Sequence, residues 1–253
     1  MRNHSKGSVS VPGIENIKHV VELGAPGVGK GLCASTLQDF FRSSMALVSL
    51  GAKTRERLDS DPGFSEKHGK TVEKGDLLPD WVANPMARSA YMQAVETDGV
   101  RNILCDGIFR RKSQLVPFVQ SSILNPGNTI VLYLDATKDT CHRRYKERAT
   151  RLGQARPDHS SFQHRFKVFN EHFPSIWELF HLAGIHCLRI DANEDLATRV
   201  APHVLSIAQN FFHTNIVSPH PRLSTFPNSP DLVAGFDPNQ MGMDMQMDRA
   251  VAG

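Results

Sequence analysis

The sequence predicts an α/β fold built on a doubly wound, five-stranded parallel sheet flanked by helices. Three observations lead there. Short, nearly continuous apolar runs recur between residues 18 and 213, as expected of strands covered on both faces. The segments between them are long enough for the crossover helices that parallel strands require. Hydrophobic residues make up 40% of the 253 and charged residues 22%, which supplies a core at ordinary globular composition and excludes wholesale disorder or a fibrous repeat.

Taken in order, the first strand is expected at 19–24 (HVVELG) and the first helix at 30–43. A second strand, 45–50 (MALVSL), precedes helices at 52–60, 65–74 and 86–97. The third strand, 101–106 (RNILCD), leads to a helix at 111–123, and the fourth, 129–135 (TIVLYLD), to helices at 138–152 and 160–182. Within the last of these, Phe162, Phe166, Phe169 and Phe173 recur at helical spacing, the signature of a core-facing stripe. The fifth strand, 185–191 (IHCLRID), is followed by a helix at 194–212. Residues 1–17 read as a flexible polar lead-in and 18–213 as the folded domain. Residues 214–253, which carry SPHPRLSTFPNSPD and then MGMDMQMD, read as a disordered tail, because recurrent prolines deny helices and strand ladders their donors.

Twenty-nine Lys and Arg against 26 Asp and Glu leave a net charge of +3, too small to imply a nucleic-acid partner. No apolar run approaches the roughly 18 residues of a membrane helix. The four cysteines (Cys33, Cys105, Cys141 and Cys187) lie far apart without a CxxC pair, which argues against a disulfide framework or zinc site and for a reducing, cytoplasmic compartment. The N-terminus lacks the apolar stretch of a signal peptide. The 12 histidines are scattered without metal-ligand spacing.

The chemistry is concentrated in Gly24-Ala25-Pro26-Gly27-Val28-Gly29-Lys30, placed between the first strand and the first helix. Glycines let successive backbone N–H groups converge into a nest for phosphate oxygens at the positive helix end, and Lys30 adds a point charge for the β- and γ-phosphates. A strand-to-helix turn that binds nothing is the bland alternative. The residue after Lys30 is Gly31 rather than the Ser or Thr that many P-loops place on Mg²⁺.

A loop of the form GxPGxGKG resembles that of the adenylate kinase family of nucleoside monophosphate kinases. The similarity extends over roughly residues 18–212: Gly51 and Arg55 after the second strand, Lys74 to Asp80, Asp106-Gly107-Ile108-Phe109-Arg110 with Gln114, Arg144 and Arg148, Arg156-Pro157-Asp158-His159, and Arg165. The resemblance implies a P-loop NTPase-like fold with a short lid at about 149–156 and a small acceptor-binding helical segment at about 50–80. It implies an enzyme that moves the γ-phosphate of ATP to a nucleoside monophosphate, AMP before other acceptors, with Mg²⁺ and as a monomer. Gly24, Ala25, Pro26, Gly27, Val28, Gly29, Lys30, Gly31, Leu32 and Arg148 are then expected around ATP. Gly51, Arg55, Leu77, Leu78, Gly107, Arg110 and Gln114 are expected around the acceptor. Asp106 would hold Mg²⁺ through water, and Lys30, Arg110, Arg144, Arg156 and Arg165 would close on the transferring group, with Asp158 in support.

Guanidinium suits that task because its forked donors pair with phosphate oxygens, and an acceptor phosphate with a second pKa of about 6 needs no base. From position alone, Arg55 is equally a solvated helix arginine, Gln114 a surface amide, and some of the later arginines bystanders. Departures from the family pattern fall at Leu32, Leu50, Ala52, Phe109 and His159. They leave open a UMP/CMP or broad-specificity kinase, a catalytically weakened nucleotide-binding protein, or a P-loop kinase of a small metabolite.

Overall fold

Five strands, β1 (Lys18–Leu23), β2 (Met45–Ser49), β3 (Asn102–Asp106), β4 (Thr129–Asp135) and β5 (His186–Asp191), form one sheet in the order β2-β3-β1-β4-β5, every pair parallel. The structure is a computed structural model and describes residues 17–151 and 159–213, with the backbone alone at 159 and 160. The expected tails 1–17 and 214–253 therefore fall outside the described residues, Ile17 excepted.

The connections are α1 (Lys30–Phe41) with a 3₁₀ turn Arg42–Ser44, α2 (Leu50–Ser60), α3 (Pro62–Lys74) and α4 (Asp80–Val95). Then come α5 (Lys112–Gln120), α6 (Lys138–Arg151) and α7 (His159–Leu182), and a π-helical turn Leu196–Val200 opens α8 (Ala201–His213). All five expected strands and eight expected helices are present within a few residues of their expected bounds, with one larger difference. α4 begins at Asp80, six residues before the expected 86, and carries Pro85 inside it. Proline removes one backbone donor, but in this helix Val82, Ala83 and Ala87 are buried, and that packing holds the first turn.

Alternation along each strand sends side chains to two cores. Val21, Leu23, Val48, Cys105 and Tyr133 pack beneath α4, α5 and most of α7, while Val20, Leu104, Ile130, Leu132 and Leu134 pack beneath α1 and α8. The phenylalanine stripe of α7 serves both: Phe173 belongs to the first core, Phe162 to the second, and Phe169 touches each. Full burial of such side chains contributes about 1.5–3 kcal/mol apiece.

Among the polar groups buried in this scaffold is a histidine. His19 on β1 is fully buried and its Nε2 lies 2.9 Å from the Tyr91 hydroxyl. Burial disfavours the imidazolium and pulls the pKa down to about 4. A base whose folded pKa is depressed stabilises the fold fully above its unfolded value of about 6.5, and that contribution is lost as pH falls towards 4. Between pH 7 and pH 4 the wild type is expected to lose about 3 kcal/mol more than His19→Asn, read from urea midpoints. Parallel pH dependence in the two proteins would contradict the assignment.

Candidate active site

The turn after β1 brings the glycine loop to the N-terminus of α1, whose cap is Gly29 and whose first-turn N–H groups have no side-chain cap. A helix start left open in this way presents partial positive charge to an anion. Lys30 arches back over the loop, its Nζ donating to the carbonyls of Gly24 (2.6 Å) and Ala25 (3.1 Å). Gly27 holds φ +84°, and a Cβ there would lie 2.2 Å from the backbone oxygen of Cys141 on α6, so only glycine lets the loop lie against that helix.

Arg144 anchors the same corner. Its guanidinium donates to the carbonyls of Val28 (3.0 Å), Ala192 (2.6 Å) and Glu194 (2.6 Å), tying the loop, α6 and the end of β5 together. Arg148 stands one turn further along α6, exposed. Leu32 is 40% exposed.

Across the C-terminal edge of the sheet, Ser49, Asp106 and Glu22 occupy matched positions on adjacent strands. Residues in register on parallel strands share a face, so the three side chains form a row on the α1 side. The Ser49 hydroxyl donates to Asp106 Oδ2 at 3.4 Å. Glu22 is 1% exposed, and neither carboxyl oxygen has a hydrogen-bond partner among the described residues. Burial drives its pKa well above the carboxylate range, the Asp106 charge adds to the rise, and Lys30 opposes it. Lys30 is pulled down by burial and held up chiefly by Asp106. Oxygen donors facing a phosphate nest suit a hard divalent cation.

A cavity of about 350 Å³ opens between this edge and the segment formed by α2, α3 and the loop to α4. Gly51 and Arg55 line it from α2, Leu77 and Leu78 from the loop, Arg110 from the β3–α5 connection, Gln114 from α5, and Arg165 from α7. Arg110 donates from Nε to the carbonyl of Gly107 at 3.0 Å. Its fork reaches to 3.3 Å from the place a Gly51 Cβ would take, with Arg55 Nη1 at 3.5 Å from the same point. Burial lowers the Arg110 pKa, Asp106 opposes the shift, and the charges of Arg165 and Arg55 add to it. Three guanidinium groups thus converge where a phosphate dianion would be held.

Arg165 crosses Gly75, the left-handed cap of α3, where a Cβ would lie 2.6 Å from the arginine Cγ. Its Nη2 donates to the Val72 carbonyl at 3.0 Å while its Nε is buried without a partner among the described residues. His164 lies 2.5 Å from Asp76, so α7 latches this segment at two points. Gln114 is buried with its Oε1 accepting from the backbone N–H groups of Arg110 (2.7 Å) and Arg111 (3.2 Å). Asp80 steadies the amide end at 3.5 Å and is itself held by Ser113 (2.6 Å) and Arg111 (3.2 Å).

A second cavity, about 150 Å³, is bordered by Glu22, Gly24, Pro26, Lys30, Gly107 and Phe109. Arg110, Arg165, Gly75 and Leu77 border both cavities, so the cavity at the loop and the cavity at the arginine cluster adjoin. Arg156, Asp158 and the core of the expected lid lie outside the described residues, as does the side chain of His159. Sequence reasoning assigned no role to Glu22 or Ser49, and matched Asp80 to the family only as the end of the stretch from Lys74. An acid inside the apolar run of β1 was the one available signal for Glu22; the other two acquire meaning only through their partners.

A sequence-family model for the AAA domain matches residues 23–161, more than half of the chain. Among curated proteins the chain is similar to an adenylate kinase of Oenococcus oeni, 28% identical over 76% of this chain and 98% of the relative. It is likewise similar to a UMP-CMP kinase of Danio rerio, 25% identical over 70% and 90% of the two chains. An adenylate kinase of Thermobifida fusca is 27% identical over 66% and 86%.

Proposed function

We propose, from the premise that this chain belongs to the AAA domain family and is a P-loop phosphotransferase of the adenylate kinase type, that it transfers the γ-phosphate of ATP to AMP. The observation that carries this reading is the sharing of Arg110 and Arg165 between the cavity at the glycine loop and the cavity under α2 and α3. Two polyanions seated in those cavities meet end to end across the two guanidinium groups, the in-line arrangement that phosphoryl transfer needs.

The loop from Gly24 to Leu32 holds the donor phosphates on those of its backbone N–H groups that have no carbonyl partner, Pro26 having none to give, and Lys30 exchanges its two carbonyl partners for phosphate oxygens. Arg55, beside Gly51, and Arg110, beside Gly107, clamp the acceptor phosphate, and Leu77 and Leu78 cover its base. Arg165 brings its unpartnered Nε to the group in transfer, with Arg156 closing from the lid beside Asp158 and Arg148 flanking the donor. Arg144 holds the loop in shape from behind through its three carbonyls. Mg²⁺ bound with ATP would supply charge neutralisation between the β- and γ-phosphates, and Asp106, oriented by Ser49, would hold it through water.

Gln114 supports the choice of base. With Oε1 engaged by two backbone donors, the amide has only N–H to offer the cavity. That donor suits a base presenting a bare ring nitrogen, as adenine and cytosine do, and not guanine or uracil, which carry N–H at that position. CMP is therefore the second acceptor. Four thiols, three buried and one half-buried, are free, which suits a cytoplasmic protein, and we read the chain as a monomer. No helix of the described residues is long and apolar enough to cross a membrane. An ADP-forming assay across AMP, CMP, UMP, GMP and the deoxy forms should rank AMP first and CMP second in kcat/KM. GMP or UMP in first place, or no turnover with any of them, would overturn the reading.

A further inference from the structure

Glu22 has no part in the scheme above, although it borders the cavity that contains Lys30 and faces Asp106. Its position is costly: a carboxyl sealed in the central strand with neither oxygen hydrogen-bonded costs free energy that an apolar side chain of similar size would not. The neighbours on the same face of β1 and β4, Val20 and Leu132, show that the sheet is otherwise apolar there. The strand spacing of about 4.8 Å places Glu22 beside Asp106 with both side chains on one face, and Glu22 borders the same cavity as Gly24 and Lys30. Ser49 already constrains Asp106 from the opposite side. Neither Gly31 nor Leu32 supplies the hydroxyl oxygen that a loop threonine or serine would.

We propose that Glu22 and Asp106 together form a two-carboxylate seat for the divalent cation that accompanies the donor triphosphate, Glu22 standing in for the absent loop hydroxyl. This rests on the nucleotide reading of the glycine loop. Hard cations with small radii are held by one or two carboxylates plus substrate phosphates, with water filling the remaining positions. Two carboxylates and Lys30 carry a net charge of −1 when ionised, so a dication turns the floor of the site positive towards the triphosphate. The oxygens of Glu22 thereby gain the partner they lack among the described residues.

The test uses Mn²⁺ as the probe and the full chain in wild-type, Glu22→Gln, Glu22→Leu and Asp106→Asn forms. Free Mn²⁺ is counted by electron paramagnetic resonance in the presence of a β,γ-imido analogue of ATP, and analogue binding without metal is measured by calorimetry in EDTA. Both Glu22 variants should bind Mn²⁺ about tenfold more weakly or worse, with metal-free analogue affinity within twofold of wild type. Glu22→Leu should melt no lower than wild type without metal. Mn²⁺ affinity within twofold of wild type in both Glu22 variants would overturn the proposal, as would a lower melting temperature in Glu22→Leu, which would make the carboxyl structural. Failure of the wild type to bind the analogue at all would instead remove the nucleotide reading on which the seat depends.

Discussion

Replacement of Lys30 by methionine is expected to lower kcat/KM for phosphoryl transfer by about 10³-fold or more, close to 4 kcal/mol of transition-state stabilisation. Methionine keeps the length of the side chain and its helix propensity, so α1 should be retained. What disappears is the cation that spans the Gly24 and Ala25 carbonyls and faces Glu22 and Asp106. Without it the charge developing on the transferring oxygens meets two carboxylates and no local counter-charge from the loop. The loss should appear mainly in kcat, with analogue binding weakened far less, because backbone N–H groups still cradle the phosphates. Steady-state kinetics beside calorimetry provides the check, and a loss below tenfold would remove Lys30 from the transfer step.

The second large effect is expected at Gly27. Alanine there meets two independent penalties: a φ of +84° that a side chain resists, and a Cβ 2.2 Å from the Cys141 carbonyl oxygen. Strain of about 1–3 kcal/mol from the first adds to a similar cost of overpacking from the second. Relief requires the loop and α6 to separate, which pulls Val28 from Arg144 and spreads the N–H nest. We expect Gly27→Ala to lower the melting temperature by about 5–15 °C and to abolish nucleotide binding at millimolar concentrations. Gly31→Ala is the matched control: it lies in α1 and no atom lies within 4 Å of the added Cβ, so stability should stay the same or rise by up to about 1 kcal/mol. Equal behaviour of the two variants would show that the contact between loop and α6 does not shape the site.

The architecture was legible in the sequence because it depends on local patterns. Runs such as TIVLYLD can be buried only inside a two-faced sheet, and β4 is buried along nearly its whole length. The same locality misled at α4, where Pro79 and Pro85 masked a helix that its neighbours hold in place. The glycine loop was legible for a related reason, since closely spaced glycines before a lysine encode a backbone shape without help from distant residues.

What the sequence by itself determined is the strand and helix order, the phosphate loop and the polar character of the residues around it. Only the tertiary structure decided which cations face which space. Arg144 and Arg165 are both arginines on long helices, yet one has three carbonyls as partners and the other leaves its Nε unpaired beside Gly75. Glu22 and Asp106 are 84 residues apart in the chain and become neighbours only through the pairing of β1 with β3. The physical reason is range: dihedral preference and hydrophobic period act over a few residues, whereas electrostatic partnership is set by whatever the folded chain brings within several ångströms.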